Sequence, residues 1–340
     1  MTTNYATELV GSEYANQFGF IGYDFDAARN FSYISPWELL PNPVSRHIEM
    51  SGWGGWGMDF NQTIHLWPLL IFAVFFYNLR KWLYQPFKQF GLYLGIAKTS
   101  HRKLQKFQYQ MWLLLYYVLS TIFGAYVLSD KPWSGFPMNS ENMMSLFVNH
   151  PERPDTWITW YYCYEMGFFV AEFIVIFQET RRSDFMEYVI HHITTLALML
   201  FSYVGYEHRI GSYILIIHDV SDIFLCVTKI LHYTKANDIL VNISFTIFMV
   251  VFVFARLVCL PVHGFAVLLV GTGKRIATVN FWFLTILLQF VLQGLHVYWF
   301  FLIVRMLHRL VATDTKGDVR SSDDEDAPPA VTEQEKKKKK

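Results

Sequence analysis

Seven long apolar segments constrain this chain more than any other feature of its sequence. They lie at about residues 63–80, 109–128, 157–178, 187–205, 210–228, 239–262 and 280–304. About 20 apolar residues are enough to cross the hydrocarbon core of a bilayer as a helix. Because a helix satisfies its own backbone hydrogen bonds in lipid, the pattern predicts an all-α, polytopic transmembrane helix bundle with about seven spans. Only 16% of the residues are charged, which is low for a soluble protein.

The basic residues predict how this bundle is oriented. The stretch between the first two segments is the most basic internal one, and such stretches stay on the cytosolic side of a membrane. Its basic residues are Arg80, Lys81, Lys88, Lys98, Arg102, Lys103 and Lys106. With seven spans, the N-terminus is then lumenal and the C-terminus is cytosolic. The uneven charge therefore concerns the membrane, and we expect no nucleic-acid partner.

The two ends of the chain differ from the spans in composition. Residues 1–61 are polar and aromatic, and Asn30 and Asn61 fit the N-x-[ST] acceptor pattern of a glycosylated lumenal arm. Residues 311–340 have the composition of a disordered cytosolic tail. In this tail, Ser321 and Ser322 precede an acidic cluster. Acidophilic kinases favour such a context, so both serines are candidates for phosphorylation. The terminal lysines fit either a retrieval signal of the endoplasmic reticulum or a solvated charge run.

Ionisable residues inside the apolar segments are the candidate functional residues, because they are costly in hydrocarbon unless they face the bundle interior. The fourth segment carries His191 and His192, and the fifth carries His218, Asp219 and Asp222. At 1.5 Å per residue, both sets lie roughly 6–17 Å below the predicted cytosolic boundary. His218 and Asp222 are four residues apart and share a helix face. We therefore expect these two helices to line a cavity that opens toward the cytosolic leaflet.

Other polar residues fall on single faces of the neighbouring spans. They are Gln289, Gln293 and His296 in the seventh segment, Glu165 and Glu172 in the third, and Arg256 in the sixth. Arg256 could neutralise one of the carboxylates. Polar residues at such positions can also join helices by hydrogen bonds alone, and Glu172 is the one for which we most expect that structural role.

Chemically, this set of residues fits acyl transfer. An imidazole can act as a general base toward an amine or as a nucleophile toward a thioester. A nearby carboxylate can orient the imidazole and stabilise its protonated form. A metal site is the alternative, since histidines and aspartates are suitable ligands. The sequence contains no HxxxH or HxxHH cluster of the kind found in iron-dependent membrane oxidases, so we expect neither a metal nor another cofactor.

The stretch from Arg181 to Tyr233 resembles the Lag1 motif of the ceramide synthases, within the TLC-domain family. The matching residues are DF..Y.IHH..T..L...SY, R.GS, HD.SD.FL...K and the closing tyrosine. The similarity covers about residues 100–310 and includes Lys131-Pro-Trp, Trp160-Tyr-Tyr and the sequence around His296. It implies four domains or regions: a lumenal arm (1–61), a first span with its basic cytosolic loop (62–99), a catalytic TLC domain (100–310) and a tail (311–340).

The resemblance implies a multi-pass enzyme of the endoplasmic reticulum membrane. Such an enzyme joins the acyl group of a fatty acyl-CoA to the amino group of a sphingoid base and gives (dihydro)ceramide. The resemblance assigns catalytic roles to His191, His192, Asp219 and Asp222. Substrate-binding roles are expected for His218, Glu165, Arg256, Gln293 and His296. The basic cytosolic loop is a candidate for the CoA phosphates, and a homo- or heterodimer or a small accessory subunit would fit the family.

Two other functions are compatible with the same motifs. A TLC-domain protein could bind or translocate lipid without catalysis, although it would not need the His-His and Asp-x-x-Asp set. A phospholipid-directed acyltransferase would take a lysolipid as acceptor. Either of the two adjacent histidines could be the nucleophile or base, and the sequence does not reveal the preferred acyl length.

Overall fold

The computed structural model describes residues 60–96, 101–131, 133–134, 153–178, 184–265 and 279–313. Residues 1–59 of the predicted N-terminal arm and residues 314–340 of the predicted tail lie outside these ranges. The glycosylation, phosphorylation and retrieval signals therefore stay predictions.

The described residues are helical almost throughout. A 3₁₀ helix, Phe60–Leu66, precedes seven α-helices. These are α1 (Pro68–Tyr93), α2 (His101–Leu128), α3 (Thr156–Ile176), α4 (Phe185–Val204), α5 (His208–Tyr233), α6 (Asp238–Phe252) and α7 (Val279–Thr313). The last turn of α6 continues directly as a π-helix, Val253–Phe265. No strand occurs in the described ranges, and the prediction of an all-α fold is confirmed.

Five of the helical segments are long and apolar enough to cross a membrane. They are Gln62–Tyr93, His101–Leu128, Phe185–Val204, Asp238–Val262 and Leu284–His308. The other two helices, α3 and α5, carry the buried carboxylates and have many side chains enclosed by the rest of the bundle. The chain is therefore a multi-pass helical membrane protein, while the predicted count of seven spans and the orientation of the termini stay predictions.

Much of the predicted basic loop is helical. The helix α1 continues to Tyr93, well beyond the expected end at residue 80, and α2 begins at His101 instead of at 109. Apolar residues four apart on α1 (Leu79, Leu83 and Phe87) continue the helical pattern and pack against a buried aromatic cluster between α1, α2 and α3. The basic residues at this end, Lys88, Arg102, Lys103 and Lys106, define what we call the basic end of the bundle.

The helix α5 is central to the bundle, since it packs against α2, α3, α4, α6 and the π-helix. A turn of only three residues joins α4 to α5. Its middle residue, Tyr206, is buried and has a φ of 63°, a conformation that non-glycine residues adopt only when the surrounding structure holds it. Because the turn is so short, the two helices that carry the histidines and aspartates are antiparallel neighbours.

A close approach between α1 and α3 completes the bundle around this pair. A Cβ atom at Gly167 would lie 2.9 Å from the carbonyl oxygen of Leu69, so only glycine permits this contact without a shift. Small residues at helix crossings are typical of membrane bundles. The start of α3 is fixed by Asp155, whose carboxylate accepts a hydrogen bond from the backbone N–H of Ile158 at 2.9 Å.

Candidate active site

A cavity of about 100 Å³ lies among α2, α3, α4, α5, the π-helix and α7. Its wall on the side of the basic end carries the ionisable residues His191, His218, Asp219, Asp222 and Arg256. All five were singled out from the sequence. Three separate stretches of the chain, α4, α5 and the π-helix, thus bring their charged or titratable side chains to one buried space.

Away from these groups, the cavity is lined by apolar side chains. They are Leu198, Met199, Ile210, Ile214, Leu215, Leu260 and Leu292. A second set of polar residues lies at the end of the cavity opposite His191 and the aspartates. It consists of Tyr162, Ser202 and Glu207, which lie beside Gly211. The Tyr162 hydroxyl lies 2.9 Å from Ser202 Oγ, and Gly211 has no room for a side chain beside that hydroxyl. The cavity is therefore polar at both ends and apolar between them.

Arg256 is paired with one of the two aspartates. Its Nη2 donates to Asp222 Oδ1 at 2.5 Å, and its Nε donates to Ser221 Oγ at 3.0 Å. Arg256 lies in the first turn of the π-helix, and π-helical turns are frequent at functional sites. The guanidinium is buried, so its charge and that of Asp222 offset each other inside the bundle.

Asp219 faces a different partner, on the side away from Arg256. Its Oδ2 lies 2.6 Å from Ser120 Oγ on α2, and the same hydroxyl is in hydrogen-bond contact with Glu165 Oε1 on α3. The second oxygen of Glu165, Oε2, accepts from the Tyr116 hydroxyl at 2.7 Å. Glu165 thus lies behind the cavity wall, and Ser120, which the sequence analysis did not single out, links it to Asp219.

The two adjacent histidines have different surroundings. His191 lines the cavity, and its Nδ1 has no hydrogen-bond partner among the described residues. His192 does not line it: its Nδ1 lies 3.0 Å from the Tyr188 carbonyl oxygen, and its ring packs on those of Tyr188 and Phe169. The two imidazoles are 5.6 Å apart and nearly perpendicular. Of the pair, it is the His191 ring that is presented to the cavity.

His296 extends the site behind His218. The two rings are 5.2 Å apart, and His296 is fully buried although it does not line the cavity. Both ring nitrogens of His296 lack a hydrogen-bond partner in the described part of the chain, as do Nε2 of His218 and the amide oxygens of Gln289 and Gln293. Buried polar groups normally have partners, so this side of the cavity wall has the capacity to bind a polar ligand or water.

Glu172 lies outside the cavity, in a network that joins the first four helices. It accepts from Trp112 Nε1 at 2.8 Å and from the Tyr109 hydroxyl at 3.2 Å, and Arg80 Nε is 3.9 Å away. Tyr109 in turn bonds the Tyr188 hydroxyl at 3.0 Å. This network agrees with the structural role expected for Glu172, and it holds the turn of α4 that carries the histidines.

The described residues contain no preformed set of metal ligands. Among the residues that the structure describes, no three His, Cys, Asp or Glu side chains are grouped closely enough to hold a metal ion. Whether the protein works without a metal stays a prediction.

The site lies within a known domain. Residues 106–305, more than half of the chain, match the TLC domain, TRAM_LAG1_CLN8. The chain belongs to the TLC-domain family. The same range contains every residue of the cavity wall, and it agrees with the extent of the resemblance seen in the sequence.

Relatives place this TLC-domain protein with the Lag1 and ceramide synthase members of the family. It is 34% identical to ASC1-like protein 1 of Oryza sativa subsp. japonica over 75% of this chain and 88% of that protein. It is 31% identical to ceramide synthase LOH1 of Arabidopsis thaliana, over 75% of this chain and 91% of the relative. Against ceramide synthase 3 of Mus musculus the identity is 33% over 73% of this chain, which spans 64% of that longer relative.

Proposed function

We propose that this TLC-domain protein is a ceramide synthase, which transfers a fatty acyl group from acyl-CoA to the amino group of a sphingoid base. The observation that carries the proposal is the composition of one cavity. An imidazole with a free nitrogen and two carboxylates lie at one end of it, and an apolar passage extends from them. Acyl transfer to an amine needs a nucleophile or base, a group that binds an ammonium, and room for an alkyl chain.

The apolar passage suits the acyl chain. From His191 to Ser202 on α4, and from Gly211 to Asp222 on α5, the sequence difference is eleven residues, which is about 16 Å along a helix axis. That length is about half of the ~30 Å hydrocarbon core, the depth that a long acyl chain occupies in one leaflet. An acyl carbonyl beside His191 would therefore place the chain along the passage, with its methyl end toward Gly211.

His191 is the imidazole that we assign to the reacting carbonyl. It lines the cavity and has a free ring nitrogen, so it can attack the thioester carbon or take a proton from the amine. His192 is assigned a positioning role through its contact with Tyr188. Either chemistry at His191 gives the same net products, an amide and free CoA.

The two aspartates of the cavity wall have different roles. Asp222 is already paired with Arg256, so Asp219 is the carboxylate of the cavity wall that we assign to the sphingoid ammonium. His218 and Gln289, which line the cavity, would hold the polar head of the base, since each has a polar atom with no hydrogen-bond partner among the described residues. Gln293 and His296 are outside the lining and would act through these two. A cation bound near Asp219 also lies beside the thioester, which aligns the amine with the acyl carbon.

A membrane arrangement follows from this assignment. We infer that all seven helices cross the bilayer of the endoplasmic reticulum, with α3 and α5 inside the bundle and shielded from lipid by the others. The basic end would face the cytosol, where acyl-CoA is available, and its lysines and arginines would attract the CoA phosphates. The cavity groups nearest to that end are His191, Asp222 and Arg256.

Non-catalytic lipid binding is the alternative from another class. A lipid carrier gains nothing from an imidazole with a free nitrogen placed next to carboxylates that are costly to bury. The likeness to proteins named as ceramide synthases also favours the enzyme.

The deciding experiment is an N-acylation assay on the purified full-length protein. Acyl-CoA and sphinganine should give an N-acyl product, and His191→Ala should lower the rate of its formation by at least about 100-fold. The absence of product from the unmodified protein, or full activity in His191→Ala, would contradict the proposal. A lysolipid offered in place of sphinganine tests the other acceptor class, and hydroxylamine release of an acyl-protein adduct would distinguish a nucleophilic His191 from a basic one.

A further inference from the structure

Ser120 joins two buried carboxyl groups that belong to different helices. Its Oγ lies 2.6 Å from Asp219 Oδ2 and also contacts Glu165 Oε1. Glu165 is fully buried and Asp219 is almost so. Hydroxyl groups have only one proton to donate, so Ser120 cannot satisfy two carboxylates that both lack a proton.

The surroundings of the pair supply little compensation for two negative charges. The Tyr116 hydroxyl donates to the second oxygen of Glu165, while Arg256 is engaged with Asp222 and Ser221. The titratable and charged groups that surround the pair are Tyr116 and Tyr117 on α2, Tyr161 and Tyr164 on α3, His191 on α4, His218 and Asp222 on α5, and Arg256 on the π-helix. Two carboxyl groups so close in a buried site do not both ionise.

We propose that Glu165 and Asp219 share one proton through Ser120, and that this pair takes up the proton which the sphingoid ammonium must lose. The inference rests on the proposed function. Asp219 is on the cavity wall and Glu165 is behind it, so the shared proton can lie on Glu165 while Asp219 binds the ammonium. The pair then has the capacity for a second proton at the moment when the amine becomes a nucleophile.

The step balances in atoms and charge. The ammonium gives one proton to the pair, which changes from one proton and a single negative charge to two protons and no charge. The amine nitrogen then forms the C–N bond to the acyl carbon as the bond from that carbon to its leaving group breaks. The second proton of the nitrogen leaves with the departing group, which ends as the thiol of CoA. The pair returns its extra proton to water before the next turnover.

A spectroscopic test does not depend on activity. Infrared spectra of the purified protein at neutral pH should contain the carbonyl stretch of a protonated, buried carboxylic acid. Glu165→Gln combined with Asp219→Asn should remove the share of this band that the pair contributes, whichever of the two carboxyl groups carries the proton. Thr121→Val should leave it in place, since this neighbouring α2 residue has a buried hydroxyl with no hydrogen-bond partner among the described residues. No such band in the unmodified protein would overturn the inference.

A kinetic test separates transfer of the proton from structural support. Ser120→Ala should lower kcat for N-acylation by roughly 100-fold and shift its pH profile to higher pH, because carboxylates that no longer accept a hydrogen bond from Ser120 need a higher pH to lose their protons. Ser120→Thr keeps a hydroxyl and should restore both, and Thr121→Val should match the unmodified protein. An unchanged pH profile in Ser120→Ala, at any level of remaining activity, would contradict the inference. If the unmodified protein forms no N-acyl product, the proposed function fails instead, and the infrared result still decides whether the pair shares a proton.

Discussion

Arg256 Nη2 lies 2.5 Å from Asp222 Oδ1, and this contact ties the π-helix to α5 at the cavity wall. It also separates the functions of two aspartates that are only three residues apart. Asp222 has a buried guanidinium as its partner, whereas Asp219 is linked through Ser120 to Glu165. The reactive end of the cavity is thus built from one neutralised carboxylate and one carboxylate that remains for a cationic substrate.

Removal of Arg256 should destabilise the protein as well as inactivate it. Arg256→Gln leaves Asp222 as a partly buried carboxylate without its cation, and such a loss costs up to roughly 3–5 kcal/mol in a fully buried pair. Adding Asp222→Asn should recover much of this stability but not the activity. Thermal unfolding in detergent measures the first effect, and Arg305→Gln, at an exposed arginine of α7, is the matched control. Equal melting temperatures for Arg256→Gln and Arg305→Gln would refute the assignment.

The two histidines should respond differently to the same substitution. His191→Ala removes the imidazole that faces the cavity, and N-acylation should fall by roughly 10²–10⁴-fold. His192→Ala leaves that imidazole in place and removes a ring packed on Tyr188 and Phe169, so we expect a smaller loss of kcat together with lower thermal stability. The assay is the rate of product formation at saturating acyl-CoA. The reverse order of the two losses would assign the reaction to His192.

Narrowing the apolar passage should shorten the preferred acyl chain. Leu198→Phe places a larger ring in the cavity wall, and Gly211→Ala introduces a side chain where the Tyr162 hydroxyl already lies. Both variants should shift the product distribution toward shorter acyl groups in competition assays with mixed acyl-CoAs. Ile193→Phe, on the exposed face of α4, should leave the distribution unchanged. If all three variants give the same distribution, the acyl chain does not occupy this passage.

The start of α3 should contribute a small, pH-dependent part of the stability. Burial raises the pKa of Asp155, but hydrogen bonds from Lys131 and from the Ile158 N–H outweigh it, so the net pKa is lowered. The hydrogen bond to Asp155 raises the pKa of Lys131 despite partial burial. A lowered carboxylate pKa stabilises the fold above about pH 4 and is lost as the pH falls. A raised lysine pKa stabilises it below about pH 10 and is lost as the pH rises.

Variants at Asp155 test this contribution. Asp155→Ala should destabilise the protein by about 1 kcal/mol, because it removes both the helix cap and the ion pair. Asp155→Asn keeps a capping side chain and should lose only the ion pair, which is worth little since the carboxylate is partly exposed. The difference in melting temperature between Asp155→Asn and the unmodified protein should shrink as the pH falls below about 4 and through the lowered pKa of Asp155. A difference that persists in acid would show that the charge is irrelevant.

Local sequence patterns determined the helices and the candidate residues. Long apolar segments can satisfy their backbone groups in lipid only as helices, so the fold class and the approximate positions of the helices were predicted. The helix ends were less well predicted: α1 continues to Tyr93 because its apolar stripe packs against α2, α2 begins at His101 instead of 109, and α7 ends at Thr313 instead of 304. Spacing along one helix likewise put His218 and Asp222 on a common face, because the helical repeat alone fixes that relation.

Contacts between distant segments were decided only by the tertiary structure. Ser120 and Glu165 are 45 positions apart, and Asp222 and Arg256 are 34 apart, so no local pattern predicts that they meet. The sequence could not distinguish His191 from His192, since their difference depends on how α4 is rotated against α3 and α7. The change from α6 to a π-helix before Arg256 is also a property of packing. Which polar groups are present is a matter of composition, but which of them share a proton, a charge or a cavity follows from how the helices pack.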